Sequence, residues 1–264
     1  MAAFDLLHWL RDRCSEYRFE VGGIFLRSAN HEWPITATNA NDLETQLDAG
    51  GHLLALPKEP AALANVLEVS LVDFLVAATK KEDGLEVKRG TERGYPDLEF
   101  SGPLLAGTFL AVDVKVARRA PGKRKTQSRI TLYTGNTYFK FPDLVWPGMF
   151  RPFSQYAAHL DILVIYTLNT AIKGRVEDTE LIVHEAWKLG SRERSSTTRE
   201  YLGAVNDLER LRNGTGDFLK PEEFYRYWRA YPFRLSKGVQ KQLEKLMREQ
   251  QAELARLRGQ QKLL

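Results

Sequence analysis

Cysteine is nearly absent: Cys14 is the only one in 264 residues. Neither an internal disulfide nor a thiolate zinc cluster can form, which suits a reducing cytoplasm. The five histidines, His8, His31, His52, His159 and His184, lack metal-ligand spacing, so each reads as structural. No apolar run approaches the roughly 20 residues of a membrane helix, and the start MAAFDLLHWLRDRC lacks a signal-peptide pattern, so no membrane partner is expected. There is no internal repeat and no low-complexity linker. Gly214 and Gly216 mark a turn and not a phosphate loop, and Ser195-Ser196 lacks a nucleophile-elbow context. What remains is an ordinary globular composition, 43% apolar and 27% charged, which excludes wholesale disorder.

The sharpest absence is of acid. From Val114 to Pro142 there is none, while Lys115, Arg118, Arg119, Lys123, Arg124, Lys125, Arg129 and Lys140 fall in that stretch. The net charge of +4 therefore hides an asymmetry: residues 1–99 sum to −7 and residues 100–264 to +11. A one-sided basic field points to a polyanion such as nucleic acid. A membrane surface is the weaker reading, because the basic residues do not flank an amphipathic apolar helix. For the tip around Ala120-Pro121-Gly122 alone, a solvated loop is the simpler reading.

Periodicity predicts a helix over Phe4–Arg18, a short strand over Glu20–Arg27 and a loop over Thr36–Gly51. A second helix is expected over Pro60–Thr79, with Pro60 at its start. Strands are expected over Phe109–Val116, Ile130–Phe139, Ile162–Leu168 and Glu180–Trp187, with a helix over Pro152–His159. An aromatic helix over Pro221–Tyr231 reads as core, and a long polar helix spans Leu235–Leu264. The order suggests an α/β (α+β) fold, a central mixed β-sheet flanked by helices. One domain over 1–233 would carry a basic helical extension over 234–264, whose net charge of +5 would add salt-dependent affinity for DNA. A coiled coil over about three heptads is a second reading of that helix, and a solvated helix docking on its own domain is the plain alternative.

In Phe109–Val116 the side chains of Asp113 and Lys115 share one strand face, while Leu110, Val112, Val114 and Val116 take the other. Asp97, separated from Asp113 by fifteen intervening residues, can be brought alongside by a neighbouring strand. Two carboxylates can hold a hard divalent cation, and a lysine beside them can lie against a scissile phosphate. As a bare pattern this is weak, and a surface acid beside a lysine is the plain alternative. An aspartate inside an apolar strand, however, costs stability unless it has a partner.

Pro96-Asp97 followed by Asp113-Val114-Lys115 resembles the PD-(D/E)XK nuclease core. More closely, the chain resembles EcoRV-like type II restriction endonucleases, and does so along most of its length. The matching stretches, in order, are Tyr95-Pro96-Asp97, Ala111–Lys115, Phe153–His159, Gly190-Ser191 with Thr197-Thr198, and Phe224–Tyr231. The Phe4–Glu20 helix and Val21–Ile24 are similar to the family's start.

The resemblance implies a PD-(D/E)XK restriction-endonuclease-like fold and a homodimer acting on double-stranded DNA in a bacterial cytoplasm. It implies Mg²⁺-dependent cleavage at a short palindrome, with blunt ends carrying 5′-phosphate and 3′-hydroxyl, and Mn²⁺ able to substitute. Asp97 and Asp113 would ligate the metal, with the Val114 carbonyl as a third ligand, and Lys115 would be the catalytic lysine. Glu68 falls where the family has a helix glutamate near the metal; an exposed helix acid is the equal alternative. Glu92 and Arg93 match a minor-groove loop in which the family carries amides.

Ser191, Arg192, Glu193, Arg194, Ser195, Ser196, Thr197 and Thr198 match the loop that reads bases in the major groove. Asn136, Thr137 and Lys140 are further candidate DNA contacts. Arg192, Glu193 and Arg194 replace small and amide residues of the family. Arginine pairs with guanine and glutamate with cytosine, so a site containing G·C pairs is expected. Alternatively the arginines contact phosphate or pair with Glu193. Two other functions fit less closely: a nuclease of repair or junction resolution, and a non-catalytic DNA-binding protein.

Overall fold

A computed structural model describes residues 4–19, 38–42, 45, 60–91, 94–171 and 175–261. The strand expected over Glu20–Arg27 lies outside them, as do most of the 36–51 loop and both Glu92 and Arg93. The described strands are β1 (Glu86–Arg89), β2 (Leu98–Ser101), β3 (Leu110–Arg118), β4 (Thr131–Thr134), β5 (Ala158–Leu168), β6 (Val176–Glu185), β7 (Gly190–Arg194) and β8 (Tyr201–Ala204). The helices are α1 (Leu6–Glu16), α2 (Pro60–Thr79), α3 (Ala186–Leu189), α4 (Leu208–Asn213), α5 (Pro221–Ala230) and α6 (Lys237–Gln261).

Five strands form a mixed sheet in the order β1-β2-β3-β5-β6. Only β3 and β5 run parallel; the other neighbours are antiparallel. The remaining three make an antiparallel sheet, β4-β8-β7. The expected mixed sheet flanked by helices is therefore present, with this second sheet added to it.

The alternation of β3 decides what each face of the large sheet does. Val112 and Val114 point with Leu160, Ile162 and Val164 toward α1 and α2, where Leu6, Trp9, Leu10, Leu71 and Leu75 complete a dry core. Ala111 and Ala117 point the other way, with Leu163 and Ile165, toward Leu132, Leu202 and Ala204 of the second sheet. Asp113 and Lys115 lie between those two alanines on this second face. Helix α1 begins at Asp5, whose side chain accepts from the His8 N–H at 3.2 Å, as N-caps do.

Helix α2 has the bounds expected of it, Pro60–Thr79. By length and composition alone it could cross a membrane. It carries Glu68 and Asp73, however, and its buried stripe of Leu63, Leu67, Leu71 and Leu75 packs into the protein, so it is built as a core helix.

Two expectations change. The helix expected over Pro152–His159 is a single turn, Phe153–Gln155. Tyr156 is already extended, and the Ala157 N–H donates to the Phe109 carbonyl at 2.8 Å, so the chain enters β5 at Ala158. The strand expected over Ile130–Phe139 stops after Thr134, where Gly135 opens a helical turn. A Cβ at Gly135 would meet the Phe233 ring at 2.2 Å, so that close approach requires glycine. Phe224 and Trp228 of α5 are fully buried, as the core reading expects, and Gly214 closes α4 at φ +61°. Helix α6 is largely exposed, and Gln250 ties it to the body by donating to the Asp143 carbonyl at 3.1 Å.

His159 starts β5 inside an aromatic cluster. Its ring stacks on Phe153 at 3.7 Å between centroids, and its Nδ1 meets the Tyr95 hydroxyl at 2.6 Å. Burial pushes its pKa down to about 3. An unfolded histidine takes up its proton near pH 6.5, so between pH 6.5 and about 3 the unfolded state binds a proton that the native state refuses. His159 therefore contributes stability above pH 6.5 that is lost as pH falls. Urea melts of wild type and His159→Gln should show a steeper loss in wild type through this window, by up to about 1.4 kcal/mol per pH unit. Parallel curves would show that His159 is not the group responsible.

Candidate active site

Asp97, Asp113 and Lys115 are brought together by sheet geometry. The pairing of β2 with β3 runs antiparallel from Phe100 opposite Leu110 to Leu98 opposite Val112, which carries Asp97 to the level of Asp113. The Asp97 N–H donates to Asp113 Oδ1 at 3.1 Å, and the Val114 N–H donates to Asp97 Oδ2 at 2.7 Å. The two carboxylates are thereby locked side by side through backbone donors. Lys115 Nζ reaches Asp113 Oδ2 at 2.5 Å, with Asp113 buried and the lysine side chain 24% exposed.

The electrostatics follow from crowding acids in a half-dry place. Asp97 is pushed up to about 8 by burial, then by Asp113, against the opposing effect of Lys115 and the Val114 hydrogen bond. Burial alone would lower Lys115, but Asp113, Asp97 and Asp161 outweigh it and hold its pKa above the usual lysine value. The lysine is thus a firm cation, able to balance negative charge. Glu68, on α2, lines the same cleft; burial raises its pKa, and Lys115 and Asp113 both act on it. Of the two alternatives for Glu68, the structure places it with the acids.

The cleft holds about 510 Å³ and is lined by Glu68, Asp97, Asp113, Val114, Lys115 and Arg129 among others. Larger clefts of about 630 Å³ beside α1 and about 610 Å³ beside α5 gather no such set of acids, so chemistry and not volume marks the site. Among the described residues no three His, Cys, Asp or Glu side chains form a closed metal cage. Two carboxylates with an open side are still a suitable donor set for Mg²⁺, which keeps several waters and takes further oxygens from phosphate.

One acid of this site was not expected. Asp161 of β5 stands directly opposite Asp113 in the parallel register, on the same sheet face. It is 1% exposed, and its Oδ2 has no hydrogen-bond partner among the described residues. Burial and Asp113 raise its pKa well above the carboxylate range. The signal was present in the sequence: Asp161 interrupts the apolar run of β5 as Asp113 interrupts that of β3. Glu99 is the contrasting case. It too is 1% exposed, yet it is met by Arg151 at 2.7 and 2.9 Å and by the Tyr156 hydroxyl at 2.9 Å. Glu99 is a satisfied structural acid; Asp161 is not.

The loop candidates are dispersed in role. Ser191 is buried: its hydroxyl accepts from Arg129 at 3.0 Å and donates to Asp217 at 3.1 Å. The Arg192 guanidinium lies over Phe218 and Tyr227. Glu193 is exposed and pairs with Arg129, not with Arg192 or Arg194. Arg194 pairs with Glu200 at 3.1 Å. The Ser195 hydroxyl meets that of Thr131 at 2.7 Å, and Ser196 Oγ accepts from the Thr198 and Arg199 N–H groups. Thr197 and Thr198 are exposed. Asn136 donates to the Arg234 carbonyl at 2.8 Å and Lys140 to that of Tyr231 at 3.0 Å, so both tie down the α5–α6 connection, while Thr137 lies in the turn between them. Arg129, merely one of the basic stretch in the sequence, joins this loop to the cleft that it also lines.

No curated protein matches the chain. The family model described as restriction endonuclease EcoRV matches residues 29–251, which takes in every described strand and the first part of α6. The chain belongs to the EcoRV restriction endonuclease family.

Proposed function

We propose that the protein is a homodimeric, Mg²⁺-dependent type II restriction endonuclease that cuts double-stranded DNA at a short palindrome. The observation that carries the reading is the pinned pair Asp97–Asp113 with the Lys115 ammonium against it, in an open cleft of a chain from a nuclease family. Asp97 and Asp113 would hold the metal, with the Val114 carbonyl and Glu68 beside it, and Mn²⁺ would substitute. A divalent cation in such a site neutralises the scissile phosphate and lowers the pKa of bound water.

The chain's own residues supply the rest. Lys115 places positive charge where the phosphate oxygens gain negative charge, and Asp97 and Asp113 hold the geometry through the backbone donors of β2 and β3. Water adds to phosphorus as the 3′ oxygen leaves and takes up a proton, giving a 5′-phosphate and a 3′-hydroxyl. Two copies related by two-fold symmetry would each cut one strand, with blunt ends as in the family prototype. Arg192, Glu193, Arg194 and the hydroxyls of Ser195 to Thr198 would face the major groove, with Glu92 and Arg93 toward the minor groove. A bacterial cytoplasm is the setting that a restriction function implies.

Asp113→Ala should remain folded and abolish cleavage of plasmid DNA, and Lys115→Ala should slow it by roughly a hundred- to a thousandfold. Near-normal Mg²⁺-dependent cutting by either variant would refute the active-site assignment.

Selection of cleaved sites from random-sequence DNA should return a palindrome containing G·C pairs, because arginine suits guanine and glutamate suits cytosine. A site of A·T pairs alone would overturn the proposed base readers, and structure-dependent nicking without discrete fragments would overturn restriction.

A further inference from the structure

Lys115 and a divalent cation cannot both use the same oxygen of Asp113. In this structure Lys115 Nζ lies 2.5 Å from Asp113 Oδ2. Two cations at hydrogen-bond range of one oxygen repel each other strongly in a half-buried place. If Asp113 is to ligate a metal through Oδ2, as the proposal above allows, the ammonium has to shift. It cannot simply leave for solvent and remain useful, because its charge is needed at the cleft.

Among the described acids around Lys115, Glu68 lines the cleft but is placed beside the metal above, and one buried acceptor is left without a partner. Asp97 Oδ2 is bonded to the Val114 N–H, and Asp97 is itself an expected ligand. Glu99 is fully engaged by Arg151 and Tyr156. Asp161 Oδ2 is buried and unpartnered. In the parallel register Asp113 pairs with Asp161 and Lys115 with Leu163, so Asp161 is the diagonal neighbour of Lys115 on the same face. Adjacent strands stand about 4.8 Å apart. Lys115 already folds back along β3 to the level of Asp113, which is also the level of Asp161. A small swing across to the next strand therefore exchanges one carboxylate for the other. This also gives a reason for a carboxylate oxygen that is otherwise left without a partner at an energetic cost.

We propose that Asp161 is a positioning residue that receives the Lys115 ammonium when the Asp97–Asp113 pair takes up a divalent cation. The lysine then stays beside the reacting phosphate without competing for the metal. The inference rests on the metal-dependent reading of the site, and it concerns a residue outside the Pro-Asp and Asp-x-Lys pattern.

The test is a double-mutant cycle on the full chain without DNA, reading Mn²⁺ uptake by loss of the free-ion electron paramagnetic resonance signal. D161L removes every acceptor and should weaken Mn²⁺ binding about tenfold, the scale of an outer partner of a metal ligand. In K115M the competing ammonium is gone, so adding D161L should change binding by less than about twofold. If D161L does not fold, D161N, which keeps the shape and removes the charge, carries the same cycle. Equal weakening in both backgrounds would show Asp161 acting as a ligand or a bare charge, and would overturn the proposal, as would no change in either. A wild type that takes up no Mn²⁺ would instead refute the metal-dependent reading beneath it.

Discussion

The carboxylate of Asp113 inside an otherwise apolar strand is the constraint around which the rest of this protein is arranged. A buried charge needs a partner and hydrogen bonds, or it unfolds what surrounds it. Here the partner is Lys115, two residues along the same strand, and the hydrogen bond comes from the Asp97 N–H. Because the two charges share one face of β3, that face cannot be sealed by an apolar helix as α1 and α2 seal the other. It is covered instead by a small second sheet and an aromatic cluster that leave a cleft above the charges. The architecture of two unlike layers is thus a consequence of putting a polar site on a central strand.

That arrangement separates structural acids from working ones. Glu99 lies on the same face, two residues beyond Asp97, and every part of its carboxylate is met by Arg151 and Tyr156. Arg151 and Tyr156 bring Glu99 below the ordinary glutamate range despite its burial, the mark of a stabilised anion. Asp97 and Asp161 are shifted the opposite way, first by burial and then by Asp113, with no arginine to offset either. A cluster of acids that destabilise one another is what a cation would relieve.

Much of this was legible in the sequence, and the failures have physical causes. The alternation of Leu110–Val116 gave the strand and its faces because one side is wholly apolar and the other is not. The stripe of Leu63, Leu67, Leu71 and Leu75 marked α2 for the same reason. Short strands such as β1, β7 and β8 carry too few residues to show a period, and their pairing is set by partners distant in sequence. Phe153–His159 has apolar residues at helical spacing, yet tertiary pairing of Ala157 with Phe109 extends it. Asp161 does not stand out because the apolar run reads as beginning at Ile162; extended backward through Leu160, it shows the same interruption as β3. The family resemblance located the acid pair and the loop. It could not reveal that Ser191 is buried, nor that Glu193 turns to Arg129, since those depend on which side chains meet across the second sheet.

Arg129 links the two ends of the problem. It bonds the Ser191 hydroxyl, the Ala204 carbonyl and Glu193, and it also lines the acidic cleft. A loop that changes shape on meeting bases would therefore pull on a residue in the wall of the cleft, giving a short mechanical route between contact and chemistry. The charge asymmetry fits the same division. Within the acid-free stretch, Lys115 pairs with Asp113 just before it on β3, and Arg119 and Arg129 find acids supplied by other segments. Lys123, Arg124 and Lys125, exposed at the turn after β3, have no ion-pair partner among the described residues. Paired cations hold the fold and the site; unpaired ones at the hairpin tip are free to meet phosphate, which is the sequence-independent part of binding DNA.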